Sequence, residues 1–147
     1  MIYAIDTNII YDILLADPEF GPSSRDFVTE LYADGHSLVA CDVVWAEASA
    51  GFSDKSAFRR QMSAFGIDFS PMPEAATIRA GEIWKQARLE AVRKKEKLRL
   101  AIVPDFLIGA HALECADALV TRDRGFMRRW FSELKIIDPS KSFHISP

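Results

Sequence analysis

Met1-Ile2-Tyr3-Ala4-Ile5-Asp6-Thr7-Asn8-Ile9-Ile10 opens the chain, and its reading decides the fold. A short apolar run rich in β-formers stops at an acid. Two small polar residues follow, and then a helical pattern begins. That order predicts a buried strand whose C-terminal end delivers a carboxylate into a strand-to-helix turn. In open α/β sheets, ligands bind outside the carboxyl ends of the strands. Asp6 is therefore a candidate site residue. Asp, Thr and Asn are also favoured helix caps, and a capping Asp needs no function. This stretch alone leaves both readings open.

Outward from it, strand-like and helix-like segments alternate. Thr7 begins a short helix over 7–15, ended by Asp17-Pro18. Ser23 or Ser24 is the expected cap of a helix to Ala33, closed by Asp34-Gly35. A second strand over 37–41 leads to Asp42, the expected cap of a helix over 43–51 that carries Glu47. Asp54 precedes a helix to Phe65, and a brief strand covers 67–69. The longest helix runs over 74–95. An apolar linker over 98–103 follows, and Pro104-Asp105 opens an apolar helix over 106–115. A fourth strand over 118–121, a helix capped by Asp123 and a fifth strand over 134–137 complete the pattern. Such alternation predicts an α/β fold: a mostly parallel sheet with helices on both faces, joined by right-handed crossovers. At 147 residues the chain is expected to be one domain, 1–147.

Composition narrows the class. Hydrophobic residues make up 49% and charged residues 27%, as in ordinary globular proteins. No apolar run reaches the roughly 18–20 residues that span a bilayer, so no membrane role is expected. Met1 leads straight into the first strand, with no signal peptide pattern. Cys41 and Cys115 have neither disulfide-framework nor zinc-site spacing. Reduced thiols and a cytoplasmic location are the simple expectation. The net charge of −3 argues against a general nucleic-acid binder, but its distribution is uneven. Residues 88–99 carry Arg88, Arg93, Lys94, Lys95, Lys97 and Arg99 against two acids, and residues 121–135 carry five basic side chains against two. An acidic body with two basic patches suits a protein that holds phosphates locally and cations elsewhere.

The acids can then be sorted by place. Asp6 and Asp123 follow strands one and four, Asp105 sits in a first helical turn, and Glu47 lies early in the helix after strand two. In a parallel sheet these positions share one edge, so four carboxylates from four segments can converge. Asp105 lies within Ile102-Val103-Pro104-Asp105-Phe106-Leu107-Ile108, where a charge is costly unless compensated. A divalent cation compensates it, and so does a helix N-terminus. An oxygen-only set suits Mg²⁺ or Mn²⁺ rather than zinc. His36, His111 and His144 lack ligand spacing, and His111 reads as a core histidine. No G-x-S-x-G elbow or phosphate-cradling glycine loop is present. What remains is metal-assisted hydrolysis, with basic side chains holding a polyanionic substrate.

Asp6-Thr7-Asn8, the isolated Glu47, the run Pro104-Asp105-Phe106-Leu107-Ile108-Gly109-Ala110-His111-Ala112, and Val120-Thr121-Arg122-Asp123-Arg124-Gly125-Phe126 resemble the four acidic motifs of PIN-domain nucleases. The last two runs resemble especially the VapC-type toxins of toxin–antitoxin pairs. The resemblance covers almost the whole chain. It implies a three-layer α/β/α sandwich around a five-stranded parallel sheet, and a Mg²⁺- or Mn²⁺-dependent endoribonuclease using metal-activated water. Asp6, Glu47, Asp105 and Asp123 match the metal-binding acids, and Thr7, Asn8 and Thr121 match their supports. It further implies a homodimer and a small VapB-like antitoxin that lays a peptide in the active-site groove. Arg122 and Arg124, flanking an acid, are the expected RNA phosphate contacts on charge and position. Three other readings fit the fold class. A small-molecule phosphohydrolase lacks its D-x-D-x-T pattern here. A catalytically silent RNA-binding module would not need all four acids. A non-toxin RNA-processing PIN nuclease stays open.

Overall fold

The structure, a computed structural model, describes residues 1–97 and 101–141. Leu98 and Arg99 of the expected linker and basic stretch, and His144 in the tail, lie outside the described residues.

Five parallel strands form one sheet: β1 (Ile2–Ile5), β2 (Ser37–Cys41), β3 (Ile67–Ser70), β4 (Ala118–Val120) and β5 (Ile136–Ile137), in the order β3-β2-β1-β4-β5. The opening strand is central. Ala4 pairs with Val39 on one side and Leu119 on the other. A strand with neighbours on both sides and helices on both faces has no exposed face, which is why Tyr3, Ala4 and Ile5 are all buried.

Seven helices connect the described strands: α1 (Thr7–Leu14), α2 (Gly21–Ala33), α3 (Asp42–Ser49), α4 (Lys55–Ala64), α5 (Glu74–Arg93), α6 (Pro104–Cys115) and α7 (Arg124–Trp130). The chain steps outward from β1 to β3, then returns past β1 to β4 and β5. With right-handed crossovers, reversing the direction of travel moves the helices to the opposite face. The result is the expected three-layer α/β/α sandwich. The reversal leaves a crevice between β1 and β4 at the carboxyl edge of the sheet, the place where such folds bind ligands. On α6, Gly109 lets the Phe131 ring approach the backbone so closely that a Cβ there would lie 2.4 Å from it. This packs α6, whose first turn carries Asp105, closely against the end of α7.

Several local expectations shift. Helix α2 begins at Gly21, with Pro22 in its first turn and no side-chain cap. Ser24 does not cap it, because its buried hydroxyl donates to Asp12 Oδ2 at 2.9 Å. Asp42 lies inside α3 rather than capping it, and its carboxylate accepts from the Met72 amide at 2.5 Å. Strand β5 is only two residues long, because the Leu134 amide still donates to the Phe131 carbonyl in the turn after α7.

Candidate active site

Asp6 is the cap that its sequence context allowed, and it also lines a cavity. Its backbone is extended at the end of β1, and it caps α1 by accepting from the Thr7 amide at 2.7 Å. Its second carboxylate oxygen accepts from Asn8 Nδ2 at 2.6 Å and from the Thr121 hydroxyl at 2.5 Å. Thr121 Oγ1 in turn accepts from Asn8 Nδ2 at 3.1 Å and from the Asp123 amide at 3.0 Å. The three small polar residues thus join the ends of β1 and β4 through one carboxylate. Asp6 is only 3% exposed. Burial raises its pKa from the ordinary 3.8 to about 6; the bonds from Thr121 and Thr7 work against the rise, and the charges of Asp105 and Glu47 add to it.

The other three acids reach the same cavity from separate elements. Glu47, half-buried on α3, accepts from the Thr7 hydroxyl at 2.5 Å, and its backbone carbonyl accepts from the Tyr11 hydroxyl at 2.6 Å. Asp105 is half-buried in the first turn of α6. Asp123 is exposed and caps α7 by accepting from the Phe126 amide at 3.2 Å. Asp6, Glu47, Asp105 and Asp123 line one open cavity of about 460 Å³, together with Thr7, Asn8, Tyr11 and Ala50. Its oxygen donors fit a hard cation in kind. Among the described residues, no three acid, imidazole or thiol side chains are placed to share a single ion.

A model of the PIN domain matches residues 3–130. The chain belongs to the PIN domain family. Among solved structures, VapBC2 from Rickettsia felis, bound to a DNA fragment from their promoter, matches with TM-score 0.65 and 26% identity over 94% of this chain and 98% of that one. VapBC-1 from nontypeable Haemophilus influenzae matches with TM-score 0.65 and 19% identity over 96% and 100%. DNA-bound VapBC from Salmonella typhimurium matches with TM-score 0.63 and 18% identity over 95% and 98%. At those identities the last two show the fold alone. No curated protein matches the chain at a significant level. The family and the likeness to VapBC structures agree with the resemblance carried by the four motifs.

Within this PIN domain, Arg122 and Arg124 lie outside the lining of the acidic cavity. The Arg122 guanidinium makes a two-pronged contact with Asp12, Nε to Oδ2 at 2.9 Å and Nη2 to Oδ1 at 2.7 Å. It also lies 4.2 Å from the Phe20 ring centre. Its backbone amide donates to Asn8 Oδ1 at 3.2 Å. Arg122 therefore clamps the loop bearing Asp123 onto α1 and α2. Asp12, 2% exposed, escaped the sequence reading, although an acid beside Ile9, Ile10 and Ile13 is a signal of a buried charge needing a partner. Tyr11, which lines the cavity, left no such signal. His111 is the satisfied core residue expected, its Nε2 2.9 Å from Ser70 Oγ and its pKa lowered by burial.

Two outcomes follow from these buried carboxylates. In the unfolded chain Asp6 releases its proton near its ordinary 3.8, and in the folded chain near 6. Between those values the folded state binds the extra proton, so metal-free stability falls as pH rises from about 4 to about 6, by on the order of 3 kcal/mol. Urea unfolding in chelator at pH 4.5 and pH 7 should show about 2 kcal/mol of this loss in wild type and less in Asp6→Asn; parallel losses would refute it. Separately, Arg122→Ala strands the Asp12 charge and should cost about 3 kcal/mol in the same measurement. Adding Asp12→Asn should recover part of that cost.

Proposed function

We propose that this chain is a Mg²⁺- or Mn²⁺-dependent endoribonuclease and the toxin of a VapBC-like toxin–antitoxin pair, working in the cytoplasm as a single PIN domain over 1–147. One observation carries the reading. Four carboxylates from four segments line one cavity at the point where the strand order reverses. Family membership and the likeness to VapBC structures support it. We assign Asp6, Glu47, Asp105 and Asp123 as the catalytic and metal-holding acids. A bound ion at these acids neutralises charge on the scissile phosphate and lowers the pKa of an attacking water.

The remaining groups prepare that site. Thr7, Asn8 and Thr121 donate to Asp6 and Glu47 and so fix the carboxylates before an ion arrives. Asp6 must be ionised to hold a cation, and its pKa of about 6 makes that competition with protons felt just below neutrality. Arg122 is held by Asp12, so of the two arginines expected to meet RNA we assign phosphate contact to Arg124. A small VapB-like antitoxin and a second copy of the chain are the partners proposed. No described helix is long and apolar enough to cross a membrane.

Asp6→Asn or Asp105→Asn should abolish cleavage of labelled RNA in Mg²⁺ or Mn²⁺ while the far-UV circular dichroism stays native. Expressed in a bacterial host, the wild type should halt growth and generate new RNA 5′ ends, and Asp6→Asn should do neither. Wild-type cleavage rates in either variant would overturn the site assignment. Cleavage without growth arrest would favour an RNA-processing role. Saturating Mn²⁺ should also raise the melting temperature, more at pH 7 than at pH 5 because protons compete for Asp6. A melting temperature indifferent to Mn²⁺ would count against a metal site.

A further inference from the structure

A second cavity, of about 530 Å³, lies on the other side of α3. Its size falls within the range of pockets that bind small organic groups. Successive helical residues are turned by about 100°, so one helix can serve two sites. Glu47 and Ala50 face the acidic cavity, while Trp45 and Ser49 line the second. Phe69, near the C-terminal end of β3, and the first turns of α4 complete it. Both cavities therefore open at the carboxyl edge of the sheet, with α3 as the ridge between them.

The chemistry of the second cavity is aromatic and cationic. Trp45 packs edge-on against Phe58 and Phe69, with ring centres 5.1 and 5.5 Å away. Phe69 is 51% exposed, so a large ring surface faces solvent where burial would be favourable. Lys55 and Arg59 are one helical turn apart on α4 and both are exposed. Among the described residues neither makes an ion pair or a hydrogen bond, whereas Arg60 beside them pairs with Asp54. The buried Nε1–H of Trp45 has no acceptor among the described residues. Buried donors are rarely left so without reason.

We propose that this cavity is a subsite for an unpaired nucleotide of single-stranded RNA, its base against Phe69 and Trp45 and its flanking phosphates on Lys55 and Arg59. Aromatic platforms beside a basic rim are how proteins hold single strands. A purely apolar peptide would leave the two cations without partners. The choice of RNA as ligand rests on the nuclease reading above. A strand crossing α3 would place one nucleotide here and a neighbouring phosphate at the acids, so the subsite selects unpaired RNA.

The test uses the full chain in chelator and a fluorescein-labelled single-stranded RNA of about 12 nucleotides, followed by anisotropy. Phe69→Ala should weaken binding on the order of 10-fold. Joint Lys55→Ala and Arg59→Ala should lower the slope of log affinity against log salt by about 1.4. These side chains are exposed, so the fold should survive. An abasic position introduced along the RNA should weaken wild-type binding at one site and have little further effect in Phe69→Ala. Cleavage of the same RNA in Mn²⁺ by wild type separates this proposal from the nuclease reading. RNA cut, yet held no more tightly by wild type than by the variants, overturns the subsite alone. RNA held through these residues but never cut keeps the subsite and overturns the nuclease. RNA neither held nor cut overturns both. If the variants instead lose only a synthetic acidic peptide bearing a leucine, the cavity docks protein and the proposal falls.

Discussion

The carboxylate of Asp6, buried at the end of the central strand, is the constraint on which the rest of the site depends. Removing an ionised carboxylate from water is costly unless hydrogen bonds or charges compensate it. Here the compensation comes from neutral donors on two separate strand-to-helix turns, Thr7 and Asn8 after β1 and Thr121 after β4. Those donors can converge only if β1 and β4 are neighbours in parallel register, with Ile5 beside Val120. Sheet topology and site geometry are thus one requirement met twice.

The chain handles two buried acids of α1 differently, and the contrast is informative. Asp12 receives a guanidinium, a serine hydroxyl and an apolar setting. It is closed to further partners. Asp6 receives only neutral donors among the described residues, and faces the charges of Asp105 and Glu47 besides. Stability alone would favour giving Asp6 a cation as well. Leaving like charges around a buried carboxylate that has only neutral donors raises the energy of its ionised form and its proton affinity together. The Arg122–Asp12 clamp meanwhile keeps the β4–α7 loop in place.

The fold was legible because it rests on periodicity and chain order. Apolar runs of strand length, alternating with helical patterns, force a parallel sheet whatever the details. Asp6, Asp105 and the capping Asp123 were legible for a related reason: each breaks or bounds an apolar segment. What escaped depends on partners distant in sequence. Ser24 and Asp42 look like helix caps locally, but Asp12 and the Met72 amide claim them in three dimensions. The two-pronged partner of Arg122, Asp12, lies 110 positions back, where neighbours in sequence give no sign of it. Tyr11 carried no pattern at all. The two basic patches read as separate stretches, and the structure joins them: Glu90 on α5 pairs with both Lys94 and Arg129 of α7.

The position of α3 explains why one short helix contributes side chains to both cavities. It follows β2, the immediate neighbour of the central strand, so its first turns lie beside the crevice rather than over the sheet edge. Its buried residues Val44 and Ala48 fix its rotation against the core. That rotation leaves Glu47 on the acidic side and Trp45 on the aromatic side, with no freedom to exchange them.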